Sequence, residues 1–188
     1  LVGITDTSLS SDRKLLTVKT NLKQQAVGDV KVIIEAGGES IEKNINRSIE
    51  FRLSHLLKNH GTVKFYLMRG SGAKMLVMTK KFSDVTPPDP NTGLILRDDL
   101  VQGSNLYGKA ENGSTVNLIY KGKIVNSSKV VDHDSFVFVS KDTFKSGEKF
   151  TLRVIDAAGN KSEKVLLVKH VPKKPQLDVI YDTSRAIT

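Results

Sequence analysis

Residues 149–160 read Lys149-Phe150-Thr151-Leu152-Arg153-Val154-Ile155-Asp156-Ala157-Ala158-Gly159-Asn160. From Phe150 to Val154 every second residue is apolar, which is the pattern of a strand that buries one face. The Gly159-Asn160 pair then supplies the left-handed residue that a tight hairpin needs. We expect the carboxylate of Asp156 to accept backbone N–H bonds across this turn. The stretch therefore predicts a β-hairpin built on a half-buried strand.

The same rhythm extends along most of the chain. Short runs rich in Val, Ile, Thr and Phe are interrupted about every 8–12 residues by Gly, Asn, Asp or Ser, which is typical of an all-β sandwich. In the first half the pattern predicts strands at 15–20, 30–35, 41–45, 49–53, 63–69 and 74–82. In the second half it predicts strands at 105–110, 116–120, 123–131, 136–140, 150–156 and 165–171.

Composition narrows the class of protein further. Leu, Ile, Val and Phe account for 58 of the 188 residues, well above the content below which charged chains stay disordered. No apolar stretch approaches the length of a membrane-spanning helix, and the first residues lack the basic flank of a signal peptide. The absence of Cys excludes disulfides, thiolate metal sites and thiol nucleophiles.

A Pro-rich segment divides the chain into two similar halves. Residues 85–90 contain three prolines within four residues, which removes backbone donors and favours a semi-rigid, extended linker. On either side the order of strands and turns is the same: Gly37 corresponds to Gly122, and Phe51 corresponds to Phe138. These spacings of 85 and 87 residues predict two copies of one fold.

Two motifs in the second half resemble the bacterial immunoglobulin-like domains that occur in tandem in secreted and surface proteins. The first, at residues 107–116, is similar to the family's G-x-A-x-x-G-S-T-V strand–turn–strand. The second runs from Ser146 to Leu152 and continues through the turn at residues 156–162. The resemblance covers about residues 87–171 and implies a seven-stranded Greek-key sandwich, extracellular placement, and a spacer or adhesive role. In the first half, Arg69-Gly70-Ser71-Gly72 departs from the family's closing turn.

We therefore expect an all-β chain with two tandem immunoglobulin-like Greek-key sandwiches, at residues 1–85 and 91–171, joined by a linker at 86–90. Residues 177–184 repeat residues 1–8 with five of eight positions identical. Residues 172–188 are accordingly interpreted as a second linker and the first strand of a third module of a longer array. A chance match between two short β-prone segments is the alternative.

Motifs for catalysis and for metal binding are lacking in the sequence. The four His are scattered, and there is no nucleophile elbow and no phosphate-binding loop. We expect neither an enzyme nor a cofactor. Calcium at the joint is a weaker hypothesis that would draw on Asp89, Asp98, Asp99, Asp132 and Asp134, although their spacing matches no calcium loop.

A Lys–Asn isopeptide crosslink is a further hypothesis, with Lys109 or Lys149 as the amine and Asn160 as the amide. It requires a buried carboxylate beside the pair, which the sequence does not place.

The net charge of +9 is the remaining functional signal. A basic surface attracts anionic glycans or wall polymers, whereas lysines on edge strands also prevent aggregation between sheets. The low aromatic content of 6% argues against stacking on nucleic-acid bases. The basic residues proposed for polyanion binding are Lys121, Lys123, Lys161, Lys164, Lys169, Lys173 and Lys174.

The leading hypothesis is a non-catalytic spacer or adhesion segment of a larger secreted or cell-wall-associated bacterial protein. Its partners would be neighbouring modules of the same polypeptide, with no membrane insertion and no specific nucleic acid. Pro87, Pro88 and Pro90 would stiffen the joint, and turns would depend on Gly122, Gly147, Gly159 and Asn160. The alternatives are a module whose basic face binds an anionic glycan or wall polymer, and an accessory region of a secreted hydrolase.

Overall fold

The computed structural model describes residues 2–23, 28–131, 134–139 and 144–170. These residues form β-strands, turns and irregular segments, with no helix among them. Within the same ranges, no helix has the length and apolar character required to cross a membrane.

Seven strands make up the first half of the fold. They are β1 (Ile4–Leu9), β2 (Leu15–Thr20), β3 (Val30–Ala36), β4 (Glu39–Asn44), β5 (Ser48–Arg52), β6 (Gly61–Arg69) and β7 (Met75–Phe82). One sheet has the order β1-β2-β5 and the other has the order β4-β3-β6-β7, with every pair antiparallel.

The second half repeats this arrangement. Its strands are β8 (Leu94–Leu96), β9 (Leu106–Ala110), β10 (Thr115–Tyr120), β11 (Lys123–Lys129), β12 (Ser135–Phe138), β13 (Lys149–Ile155) and β14 (Lys161–Leu167). The sheets are ordered β12-β9-β8 and β11-β10-β13-β14, again with antiparallel pairing.

The two halves share one topology of three strands packed against four. In each half the fourth strand pairs with the third, instead of joining the sheet that contains the fifth. Gly37 and Gly122 lie at positive φ in equivalent hairpins, and Phe51 and Phe138 are buried in the equivalent strands β5 and β12. The structure thus confirms the predicted fold class of two Greek-key sandwiches and the internal repeat.

Each sandwich buries its own apolar core. The first core includes Phe51 and Phe65, and the second includes Phe138 and Phe150 among residues 94–168. In the second core, Phe150 stacks on Tyr120 with ring centroids 4.8 Å apart, an offset geometry that aromatic pairs favour. The buried face predicted for the strand at Phe150 to Val154 is confirmed, since Phe150, Leu152 and Val154 are buried, and Phe136 and Phe138 of β12 are buried in the same core.

Two strands of the second half differ from the prediction. The sequence pattern does not reveal β8, because this edge strand has three residues and follows the Pro-rich segment. The strand predicted at 165–171 instead begins at Lys161 and ends at Leu167. The error arises because Lys161, Ser162, Glu163 and Lys164 occupy an exposed edge and pair with β13 despite their polarity.

Gly108 of the first family-like motif has a packing role. It lies opposite Phe136, and a Cβ at this position would be 2.4 Å from Cζ of the Phe136 ring and 2.8 Å from the carbonyl oxygen of Ile95. Glycine therefore allows the phenylalanine ring to pack directly on the backbone of β9.

We predict that Gly108→Ala destabilises the second sandwich by about 1–3 kcal/mol, the usual cost of overpacking a core. Thermal or urea unfolding followed at residues of the second sandwich measures this loss. The control is Gly3→Ala in the first sandwich, where no atom lies within 4 Å of the added methyl. Equal stability of Gly108→Ala and the parent chain would contradict the packing role.

Candidate functional site: the joint between the sandwiches

The Pro-rich segment leaves the first sandwich without forming a strand, as predicted. After Pro90 the chain turns sharply: Asp89 Oδ1 accepts the backbone N–H groups of Asn91 at 2.7 Å and Thr92 at 3.3 Å. The bond from Asn91, and to a smaller extent the bond from Thr92, lowers the pKa of Asp89 because both stabilise its charged form. The carbonyl of Asp89 also accepts the N–H of Gly93 at 2.7 Å.

The turn between β13 and β14 binds this linker. Asp156 is buried, and its Oδ1 accepts the backbone N–H of Asn160 at 2.8 Å, which confirms the predicted role of that carboxylate. The Nδ2 of Asn160 donates to Asp156 Oδ2 at 3.0 Å and to the carbonyl oxygen of Asp84 at 2.8 Å. Two residues farther on, the hydroxyl of Ser162 donates to the carbonyl of Pro88. The end of the first sandwich, at Asp84, and the linker, at Pro88, are therefore each attached to the second sandwich.

A second contact joins the loops that face each other across the joint. The β1–β2 loop of the first sandwich brings Asp12 against Gly113 in the β9–β10 turn of the second. A Cβ at Gly113 would lie 2.8 Å from Cβ and 2.9 Å from Cα of Asp12, and 3.4 Å from Cβ of Ala157. The Gly113 N–H donates to the carbonyl of Val130 at 2.7 Å, which fixes the turn. Direct backbone contact leaves no space for a side chain here.

Arg13 organises the first sandwich's side of the joint. Its guanidinium is buried and donates from Nε to the carbonyl of Leu57 at 2.6 Å, and from Nη2 to the carbonyls of Lys58 at 2.9 Å and Phe82 at 2.7 Å. Burial lowers the pKa of this side chain, while the nearby carboxylates of Asp84 and Asp156 act in the opposite direction. Because Asp156 belongs to the second sandwich, this attraction acts across the joint.

A contact that could suggest a catalytic pair is His60 Nδ1 to Ser83 Oγ, at 2.7 Å. Both groups are exposed, and His60 lies at positive φ in a solvent-facing turn. Over the described ranges, no group of three His, Cys, Asp or Glu side chains is arranged to hold a metal ion.

The carboxylates proposed for calcium are instead engaged separately. Asp98 accepts from Arg97 Nε at 2.9 Å, and Asp99 pairs with Lys169 at 2.8 Å. Asp89 binds the backbone of its own turn, and Asp134 lies in a turn at positive φ. Asp132 is outside the described residues.

The proposed isopeptide partners are also placed by the strand register. Lys149 pairs with Leu167, at the opposite end of the β13–β14 hairpin from Asn160, so this crosslink is excluded. Lys109 is exposed on β9.

The lysines proposed for polyanion binding do not form one patch. Lys121 and Lys123 lie at the β10–β11 hairpin, whereas Lys161 lies at the opposite end of the same sheet. Lys164 is opposite Leu152 and so shares the inner side of the sheet, and Lys169 is neutralised by Asp99. Lys173 and Lys174 are outside the described residues.

The prolines and the Asp156–Asn160 turn were predictable from the sequence, whereas the loop contact and the role of Arg13 were not. The sequence did contain one signal for the loop contact, since both family-like motifs include a turn, at residues 112–113 and 156–160. In the structure both turns lie at the joint.

Gly113→Ala is predicted to disturb the first sandwich across the joint. Gly122→Ala is the matched control, since Gly113 and Gly122 have φ of 87° and 78°, and only Gly113 has neighbours within 4 Å. Both variants carry similar backbone strain, about 1–2 kcal/mol. We expect only Gly113→Ala to shift the amide resonances of residues 10–14 in ¹H–¹⁵N spectra. Unshifted resonances for both variants would contradict the loop contact.

Comparison with known proteins supports the assignment of the second sandwich. A family model described as bacterial Ig domain matches residues 87–170. No curated protein matches the chain.

Solved structures resemble the chain at low identity. One is a biofilm-associated protein BSP domain, which is 14% identical, with a TM-score of 0.39 and an alignment that covers 93% of this chain and 30% of that one. Another is a two-domain fibronectin type-III segment from chicken tenascin, which is 14% identical, with a TM-score of 0.38 and an alignment that covers 89% of this chain and 98% of that one. The fibronectin(III)-like modules of Clostridium thermocellum CbhA match at 11% identity, over 90% of this chain and 95% of that one, with TM-score 0.30. The chain thus spans 30% of the biofilm-associated domain. Through its own family match, the segment at residues 87–170 is similar to bacterial immunoglobulin-like domains.

Proposed function

We propose that the chain is a non-catalytic tandem segment of a larger secreted or cell-wall-associated bacterial protein, and that it holds neighbouring modules at a fixed spacing and orientation. The modules would be residues 1–85 and 91–171, with residues 86–90 as the joint and residues 172–188 leading into a third module. The observation that carries this proposal is the attachment of Asp84 and of the linker at Pro88 to the second sandwich through Asn160 and Ser162.

This attachment suits a spacer because it acts on the backbone of Asp84 and of the linker. Both acceptors, at Asp84 and Pro88, are main-chain carbonyls, which have far less freedom than the ends of long side chains. The prolines further restrict the same segment. Bending at the joint would break two hydrogen bonds and the contact between Asp12 and Gly113.

The fold supports a non-catalytic role. Immunoglobulin-like sandwiches serve mainly as structural and binding modules, and their function must be argued from particular sites. Extracellular placement is supported by the similarity of residues 87–170 to bacterial immunoglobulin-like domains.

Two alternatives lead to different measurements. An accessory region of a secreted hydrolase would be recognised from a catalytic domain in the same open reading frame. A module that binds anionic glycans or wall polymers through its charge would be retained on heparin or purified cell wall and released by salt.

Electron–electron distance measurements test the spacer function. The chain has no Cys, so Lys64→Cys and Lys123→Cys place one exposed spin label on each sandwich. We expect a single narrow distance distribution. Asn160→Ala combined with Ser162→Ala should broaden it, because the closed joint loses two hydrogen bonds worth about 1–3 kcal/mol together.

The control is Asn46→Ala combined with Ser48→Ala, which changes the same residue types at the same spacing at the start of β5 in the first sandwich. It should leave the distribution narrow. A broad distribution in the parent chain, or equal broadening in both double variants, would contradict a spacer set by the joint.

A further inference from the structure

One face of the second sandwich combines exposed apolar side chains with cations. It is the outer face of the sheet β11-β10-β13-β14, on the side away from the core. Directly opposed residues of antiparallel strands share a face, so the register assigns its members. They are Ile124, Ser127, Lys129, Thr115, Asn117, Ile119, Lys149, Thr151, Arg153, Ile155, Lys161, Glu163, Val165 and Leu167.

An apolar row crosses this outer face. Ile124 of β11 lies opposite Ile119 of β10, Ile119 lies opposite Thr151 of β13, and Thr151 lies opposite Val165 of β14. The two ends of the row are open to solvent, with Ile124 56% exposed and Val165 66% exposed, and Leu167 beside it is 51% exposed. Between these ends Ile119 is 8% exposed and Thr151 is half-buried, so the exposed apolar surface lies on the two edge strands, at Ile124 and at the pair Val165 and Leu167.

Cations surround the row. Lys129, Lys149 and Lys161 are exposed and form no ion pair with any residue that the structure describes. Arg153 pairs with Glu163 at 2.7 Å, and Glu163 is the one acidic member of the face. From the usual strand spacing and rise, Lys129 and Lys161 are about 14 Å apart across the sheet, and Lys149 is about 20 Å from Lys161 along it.

The corresponding face of the first sandwich has a different charge pattern. On the sheet β4-β3-β6-β7, Lys31 pairs with Glu42 at 3.7 Å, and Lys74 pairs with Glu35. Lys74 also lies over the ring of Tyr66, 4.5 Å from its centroid. Lys64 and Lys81 on the same face are exposed and form no ion pair with a described residue, so both modules present unpaired cations on this face, and the first face differs in that Glu42 and Glu35 hold two of its lysines.

We propose that this outer face binds an acidic polypeptide surface that also carries apolar side chains. Charge complementarity excludes a second copy of the same face, because like charges would meet. A polyanionic glycan would satisfy the lysines but would leave Ile124, Val165 and Leu167 in water. Apolar contacts combined with complementary charges are common in protein–protein interfaces.

The size of the face indicates how tightly it binds. Four strands at about 4.8 Å and a length of about 20 Å give a projected area on the order of 400 Å², about half of what a stable complex usually buries on each partner. A single module should therefore bind weakly, and useful adhesion would require several modules in one array. The inference goes beyond the spacer role and does not depend on the joint.

A titration with defined probes tests this proposal. The probes are a capped decapeptide of alternating Glu and Val, capped pentaglutamate with the same number of side-chain carboxylates, and heparin. Binding to the ¹⁵N-labelled chain is followed by NMR. We expect the alternating peptide to shift the amides of Ile119, Thr151 and Val165 and to bind about tenfold more tightly than pentaglutamate.

Matched charge-reversal variants distinguish binding at this face from non-specific attraction to the positive charge of the chain. Lys129→Glu with Lys161→Glu should weaken the alternating peptide about tenfold or more, whereas Lys64→Glu with Lys81→Glu, an equal charge change on the first sandwich, should not. Val165→Thr should weaken it without lowering stability, since the exposed β-branched shape is kept. The proposal would be overturned if pentaglutamate or heparin bound as tightly as the alternating peptide. It would also be overturned if both pairs of lysine substitutions weakened binding equally, or if no amide on the outer face shifted.

Discussion

The carboxamide of Asn160 joins the two halves of this molecule. Its nitrogen donates to Asp156 within the turn and to the carbonyl of Asp84 at the end of the first sandwich, while Asp156 also accepts the backbone N–H of Asn160. The contact to Asp84 therefore depends on the turn, because the turn sets the position of the Asn160 side-chain amide. Orientation of one sandwich relative to the other depends on this small set of hydrogen bonds.

Arg13 and the contact between Asp12 and Gly113 also position the two sandwiches at the joint. Arg13 fixes the loops of the first sandwich from inside, through carbonyls at Leu57, Lys58 and Phe82, so that the β1–β2 loop presents a defined surface to Gly113. Large separate cores make each sandwich a stable block, and the few contacts between them control only how the blocks are arranged. Such a division suits a chain that transmits spacing and carries its binding surface on a sheet face.

Local features were predictable from the sequence, whereas long-range ones were not. The turn at Gly37, the carboxylate role of Asp156 and the buried alternation around Phe150 follow from residues within a few positions of one another. Arg13 reaches partners 44 to 69 residues away, so nothing in its local sequence distinguishes it from a surface arginine. The placement of the lysines was unpredictable for a related reason: only the strand order shows that Lys161 shares a face with Lys129 and Lys149, and that Lys164 does not.

Residual dipolar couplings of the unmodified chain in a weakly aligning medium test the fixed joint most directly. The account predicts that couplings from both sandwiches fit one alignment tensor, with the same magnitude and axes, when the coordinates are used without moving either half. Two tensors of clearly different magnitude would mean that the sandwiches reorient independently, and the joint described above would not hold them in solution.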